Sequence, residues 1–234
     1  MVIVIEFDPV WILIFFWTLF LSILCLLFGI NLVIRKPRRH SSISLGLFFI
    51  AQFISFFTFP YIMLNEISAL WAYKVQVIGY NLSSLGTLLL GRSLTTEFSH
   101  NFVIIMAIPA ILITLVAWIF TPFYSITVPY GYELNIEWWF FVLLGGYGFP
   151  PLIYLMVELM KVFRTSNSII RKRILFLLVG YISLVTSMTL FFTVLPIMLG
   201  RPEIKPIGIL ISTICIIFIY QGYRPNRNIK MSNS

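Results

Sequence analysis

Long apolar runs fill this chain, separated by short polar or basic breaks, and seven of them are long enough to predict helices that cross a bilayer. They cover about Val10 to Ile34, Ile43 to Met63, Leu70 to Leu90, Phe102 to Phe120, Trp138 to Val162, Ile174 to Leu199 and Pro206 to Tyr220. The third run is more polar than the rest. Within LWAYKVQVIGYNLSSLGTLLL, Tyr73, Gln76, Tyr80, Ser83 and Thr87 recur at spacings of three and four, so they share a helical stripe that Asn81 and Ser84 broaden. Polar side chains against lipid are costly, and the stripe is expected to face the bundle interior or a water-filled cavity. At 1.5 Å per residue, Asn81 falls about 16 Å below the outer boundary, near the middle of a hydrocarbon core roughly 30 Å thick. Two arrangements satisfy such a stripe. One is helix-to-helix hydrogen bonding, worth about 0.6 kcal/mol per interaction. The other is a ligand pocket lined by Tyr73, Gln76, Tyr80, Asn81 and Ser84, completed by Gln52 of the second run.

Composition sharpens the membrane reading. Of 234 residues, 60% are hydrophobic and 10% charged, against roughly 25% charged in an average soluble domain. A soluble enzyme or a disordered protein is excluded on that ground. The expectation is an all-α, multi-pass cell-membrane protein: a seven-helix domain over residues 1–220 and a short basic tail over 221–234, with no room for a folded soluble domain.

Charge then orients it. With the N-terminus outside and seven spans, the inner segments hold Arg35, Lys36, Arg38, Arg39, Arg92, Lys161, Arg164, Arg171, Lys172, Arg173, Arg224, Arg227 and Lys230, thirteen of the sixteen bases. Six of the eight acids fall outside: Glu6, Asp8, Glu66, Glu133, Glu137 and Glu203. The basic cluster follows the first run rather than preceding it, which argues against a cleavable signal. Lys74, about one turn inside the outer boundary, is expected to snorkel outward as an interfacial anchor, with an outer-loop carboxylate as a partner. The longest outer connection, Thr121 to Glu137, carries Phe123, Tyr124, Tyr130 and Tyr132 and leads to Trp138 and Trp139. It reads as an aromatic belt at the headgroup level or as a lid over the bundle mouth.

The inventory of reactive groups is short. His40 and His100 fall in inner loops, Cys25 and Cys215 lie within spans, and no zinc or haem ligand spacing occurs. Asp8 is the sole aspartate, which excludes a paired-aspartate intramembrane protease, and the last span lacks the lysine that retinal requires. The chain is expected to have no enzymatic activity, metal or cofactor. The positive charge fits lipid-facing inner loops and gives no support to nucleic-acid binding. Glu158 is the one acid inside a predicted span, and Arg92 lies at comparable depth. The pair is a candidate latch between two helices; Lys161 or Arg164 in the same helix, or water, are the other partners open to Glu158. Pro60, Pro109, Pro150, Pro151 and Pro196 fall in spans, and Gly145 to Pro151, GGYGFPP, is the candidate hinge.

From the third run onward, LWAYKVQVIGYNL, AIPAILITL, YGYELNIEWWFFVLLGGYG, IIRKRILFLLVG and PIGILI follow in order. This succession over residues 70 to 220 resembles the seven-transmembrane N-terminal sensory region of histidine kinases. The resemblance implies a receptor-like module that binds an unknown ligand and signals to a cytoplasmic kinase or cyclase. Here the sequence stops fourteen residues after the last run, without a kinase domain, so a separate cytoplasmic partner is expected beside the lipid bilayer. Two alternatives remain open: a small-solute transporter of two three-helix repeats joined by a linker helix, and a membrane scaffold. No motif sets the oligomeric state.

Overall fold

A computed structural model describes residues 9–34, 40–62, 65–95, 99–128, 131–190 and 205–223. Among these, seven helices form: α1 (Pro9–Ile34), α2 (His40–Ile62), α3 (Glu66–Ser93), α4 (His100–Phe120), α5 (Trp138–Thr165), α6 (Ser168–Thr189) and α7 (Lys205–Tyr223). Strands β1 (Phe123–Val128) and β2 (Gly131–Ile136) lie between α4 and α5. The far part of the sixth predicted run, with Thr193 and Pro196, lies outside the described residues. So do the basic cluster from Arg35 to Arg39, the acids Glu6, Asp8, Glu97 and Glu203, the base Arg201 and the tail from Arg224.

Among the described residues, four helices are long and apolar enough to cross a membrane: Ile12–Ile34, His40–Tyr61, His100–Phe120 and Trp138–Thr165. A shorter apolar helix covers Ile207–Tyr223. Burial supports a membrane protein independently, because large apolar side chains cover the outside while several polar ones sit inside beside the apolar core. Leu13, Phe16, Phe20, Ile104, Ile105 and Ile119 are exposed, while Thr18, Ser22, Asn81, Ser187 and Ser212 are buried. Water would penalise the first set and lipid the second. The buried hydroxyls turn onto their own helices, Thr18 to the Ile14 carbonyl at 2.9 Å and Ser22 to the Leu19 carbonyl at 2.7 Å, which satisfies them without water.

The helix starts are specified locally. Asn65, Ser99 and Asn167 each accept a hydrogen bond from the amide three residues on, at 2.8, 3.3 and 3.0 Å, capping α3, α4 and α6. Helix α4 ends at Thr121, held at φ 45° in the left-handed region, and Pro122 cannot extend it. The chain then enters the hairpin. This segment, expected as an aromatic belt or a lid, is an antiparallel pair running from Phe123↔Ile136 to Val128↔Gly131. The aromatic and β-branched run FYSITV favours strand once the helix is stopped.

The chain divides into two compact units, Met1–Glu158 and Leu159–Ser234. In the first, α2 packs between α1 and α3, and α3 also meets α4 and both strands. Glycines permit the close approaches. A Cβ at Gly46 would lie 3.1 Å from the Gly29 carbonyl oxygen, and one at Gly86 would lie 2.9 Å from the Phe48 nitrogen. A buried apolar cluster of Ala69, Ala72, Val77, Ile113, Ala117, Phe123 and Phe140 joins α3, α4, the hairpin and the start of α5. Phe123 and Phe140 meet edge to face at 5.5 Å. In the second unit, α6 packs on α7, with the hydroxyls of Ser187 and Ser212 3.1 Å apart and buried.

Candidate functional site

Helix α3 is the hub of the first unit, and its polar side chains reach three neighbours. Toward α2, Gln52 Nε2 donates to Ser83 Oγ at 2.9 Å, and Gln76 Nε2 donates weakly to the Ser55 carbonyl at 3.5 Å. Toward α5, the Tyr80 hydroxyl donates to the Leu144 carbonyl at 3.1 Å. A Cβ at Gly148 would overlap that hydroxyl, so glycine at this position makes room for the ring. Toward α4, Asn81 Nδ2 donates to the Ala110 carbonyl at 3.0 Å and to Thr114 Oγ1 at 2.9 Å. Ser84 donates to the Tyr80 carbonyl within its own helix at 3.0 Å. Tyr73 packs on Phe123, ring centroids 6.0 Å apart, at the edge of the apolar cluster. The six candidate pocket residues, Tyr73, Gln76, Tyr80, Asn81, Ser84 and Gln52, are thus engaged in different directions rather than converging on one space.

Asn81 is the most constrained of them. It is 2% exposed. The Thr114 hydroxyl donates to the Ala110 carbonyl at 2.8 Å, so both groups facing the amide present acceptor lone pairs. The amide must therefore turn Nδ2 toward α4, because a flip would set oxygen against oxygen. Its Oδ1 is then a buried acceptor with no hydrogen-bond partner among the described residues. Thr114, the single hydroxyl residue of α4, was not among the candidates; its isolation in an apolar run was the available signal.

The region singled out as a hinge is continuous helix. Helix α5 runs through Pro150 and Pro151, which lack the amides that would bond the Gly146 and Tyr147 carbonyls. The Tyr147 hydroxyl anchors this stretch to the Met106 carbonyl at 3.2 Å.

At the other end of α3, a Cβ on Gly91 would lie 2.9 Å from the Tyr154 ring and 3.2 Å from the Leu155 Cα. The helix end carrying Arg92 thus meets α5 one turn before Glu158, which is 4% exposed. Arg92 lies over the Phe102 ring at 5.7 Å, and both charged side chains have further interaction partners. Breaking a buried ion pair from one side costs about 3–5 kcal/mol. If the two charges form the latch, Glu158→Arg and Arg92→Glu each lower stability by that order, and the double exchange recovers at least half of the loss. Unfolding midpoints of the four proteins in detergent measure this. An exchange that recovers nothing disposes of the latch.

Among the described residues Lys74 meets Trp118; Glu133 and Glu203, two of the outer acids open to it as partners, lie outside the described side chains. The Lys74 ammonium donates to the Trp118 carbonyl at 3.3 Å and lies 5.7 Å from the Trp118 ring centroid. It thus places a cation at the C-terminal end of α4, where the helix dipole favours one. Trp118 in turn meets Trp71 edge to face at 5.0 Å. Beside Trp71 opens a groove of about 250 Å³, formed by Thr58 and Tyr61 of α2 and Ile67, Ser68, Trp71 and Val75 of α3.

Among the described residues, no group of three or more His, Cys, Asp or Glu gathers as a metal site. Cys25 and Cys215 are buried free thiols in separate units. No protein-family model matches the chain, and no curated protein matches it in sequence, so its functional reading rests on these contacts.

Proposed function

We propose that the chain is a multi-pass protein of the cell membrane, with seven spans, the N-terminus outside and the C-terminus cytoplasmic. It works as a receptor-like sensory module that binds a ligand in the bundle at α3 and signals through a separate cytoplasmic partner such as a kinase. The distribution of bases supports the orientation, and the 28-residue length of α3, about 42 Å at 1.5 Å per residue, supports its spanning despite its polarity. The observation that carries the sensory reading is Asn81 Oδ1, an acceptor without a donor among the described residues, at the middle of the hub helix. Interhelical hydrogen bonds in membranes average roughly 0.6 kcal/mol. One bond donated by a ligand to Asn81 is therefore comparable with each bond tying α3 to α2, α4 and α5, and is enough to bias their arrangement.

The alternative is a scaffold, favoured by the engagement of the other stripe residues in helix contacts. Thiol accessibility separates the two. In a background with Cys25→Ser and Cys215→Ser, the variant Asn81→Cys is exposed in intact cells to a small membrane-impermeant methanethiosulfonate reagent. The sensory reading expects labelling from outside, through a ligand path to Asn81. A thiol that reacts only after denaturation rejects that path and leaves the scaffold. A C-terminal reporter that reads as extracytoplasmic would reject the orientation.

A further inference from the structure

We infer that the end of the bundle where α2 stops, α3 begins and α4 stops holds one phospholipid, with its phosphate at Lys74 and part of an acyl chain in the groove beside Trp71. The cluster there has more donors than acceptors. Among the described residues, the Lys74 ammonium, with three N–H groups, bonds only the Trp118 carbonyl. A surplus of donors on a cation calls for an acceptor-rich, anionic ligand.

The neighbouring surface says what else that ligand carries. At 100° per residue the groove's α3 residues Ile67, Ser68, Trp71, Ala72 and Val75 span about 140°, and Lys74 lies about 20° beyond Ile67, so the cation borders the groove at its edge. The groove is largely apolar, and Ile67 and Trp71 are 72% and 56% exposed. The Thr58 hydroxyl on its wall is already directed to the Ile54 and Ser55 carbonyls, both at 3.0 Å. At about 250 Å³ the groove falls below the roughly 300–1,000 Å³ of small-molecule pockets, which suits a segment of acyl chain better than a whole soluble metabolite. A free anion would satisfy Lys74 and leave the apolar wall uncovered; a phospholipid covers both. Tryptophans beside a lysine belong at the headgroup level of a bilayer, where such a molecule is already present. The assignment is independent of the ligand path at Asn81 and of which leaflet this end faces.

The test titrates the purified full chain in detergent micelles with dioleoyl phosphatidylglycerol, dioleoyl phosphatidylcholine or inorganic phosphate, and counts retained molecules by native mass spectrometry. The expected result is one phosphatidylglycerol per chain, bound more tightly than phosphatidylcholine, and not displaced by millimolar phosphate. Lys74→Gln keeps a donor for the Trp118 carbonyl but removes the charge, and should weaken phosphatidylglycerol about tenfold, whereas Lys74→Arg should bind as the parent does. Ser68→Trp leaves the cation in place and fills the groove; it should weaken both lipids, which keeps the test valid if Lys74→Gln unfolds. Unchanged retention in folded Lys74→Gln or in Ser68→Trp would overturn the inference. So would displacement by phosphate, which would make the site one for a soluble anion.

Discussion

Gly86→Leu is expected to separate α2 from α3 and to lower the stability of the first unit by about 3 kcal/mol or more, the upper end of ordinary overpacking. The reason lies in which atoms stand opposite. A Cβ at residue 86 would sit 2.9 Å from the Phe48 nitrogen, 3.0 Å from the Ser44 carbonyl oxygen and 3.2 Å from the Phe48 Cα, all of them backbone. A side chain in the way could change rotamer, but helical backbone has to move as a whole. That movement would also stretch the Gln52 to Ser83 hydrogen bond, one turn away on the same interface. Gly146 supplies the control, since nothing lies within 4 Å of its Cβ position. Gly146→Ala should be neutral or gain up to about 1 kcal/mol from helix propensity. Unfolding followed by far-ultraviolet circular dichroism in micelles, with a size-exclusion check for folded monodisperse protein, compares the two. If Gly86→Leu costs under 1 kcal/mol, the α2–α3 contact is looser than described.

The second large effect is expected at Asn81, where the identity of the replacement matters more than its size. Asn81→Asp sets acceptors against the Ala110 carbonyl and Thr114 Oγ1, which the amide now satisfies by donating. An ionised carboxylate at the middle of a span adds about 2.5–3.5 kcal/mol on insertion scales. A total loss of about 3 kcal/mol or more is expected. Asn81→Leu loses the two donated bonds, at roughly 0.6 kcal/mol each, but also removes the unpartnered Oδ1, whose burial costs about 1–3 kcal/mol. The two contributions oppose each other, and Leu should fall within about 1 kcal/mol of the parent. The same unfolding experiment ranks them; Asp tolerated as well as Leu would mean that Nδ2 does not face α4.

How far these sites were legible in the amino-acid sequence depends on the kind of information each needs. Helix positions follow from apolar runs and caps, so α4 and α5 begin close to where the pattern puts them. The hairpin was not legible, because Phe123 to Val128 reads as an aromatic loop until Thr121 and Pro122 are seen to stop α4 and Phe123 to be buried against Tyr73 and Phe140. The α3 stripe was legible as a set of inward polar residues but not by partner. At 100° per residue, Tyr80 and Asn81 point about 100° apart, which is enough to send one to α5 and the other to α4. Spacing along one helix carries no information about what stands opposite. For the same reason nothing in the spacing around Lys74 pointed to the Trp118 carbonyl, which stands near the end of a neighbouring helix.

The glycines between the first three helices have a consequence for recognising kin. At Gly29, Gly46, Gly79 and Gly86 a Cβ would approach backbone atoms of the facing helix to within 2.9–3.1 Å. A chain that diverged freely over its lipid-facing surface, where any apolar side chain serves, could not diverge at these four positions without redrawing the helix spacing. Distant cousins should therefore share these positions, at matching depths in their first three helices, after every stretch of ordinary similarity has worn away.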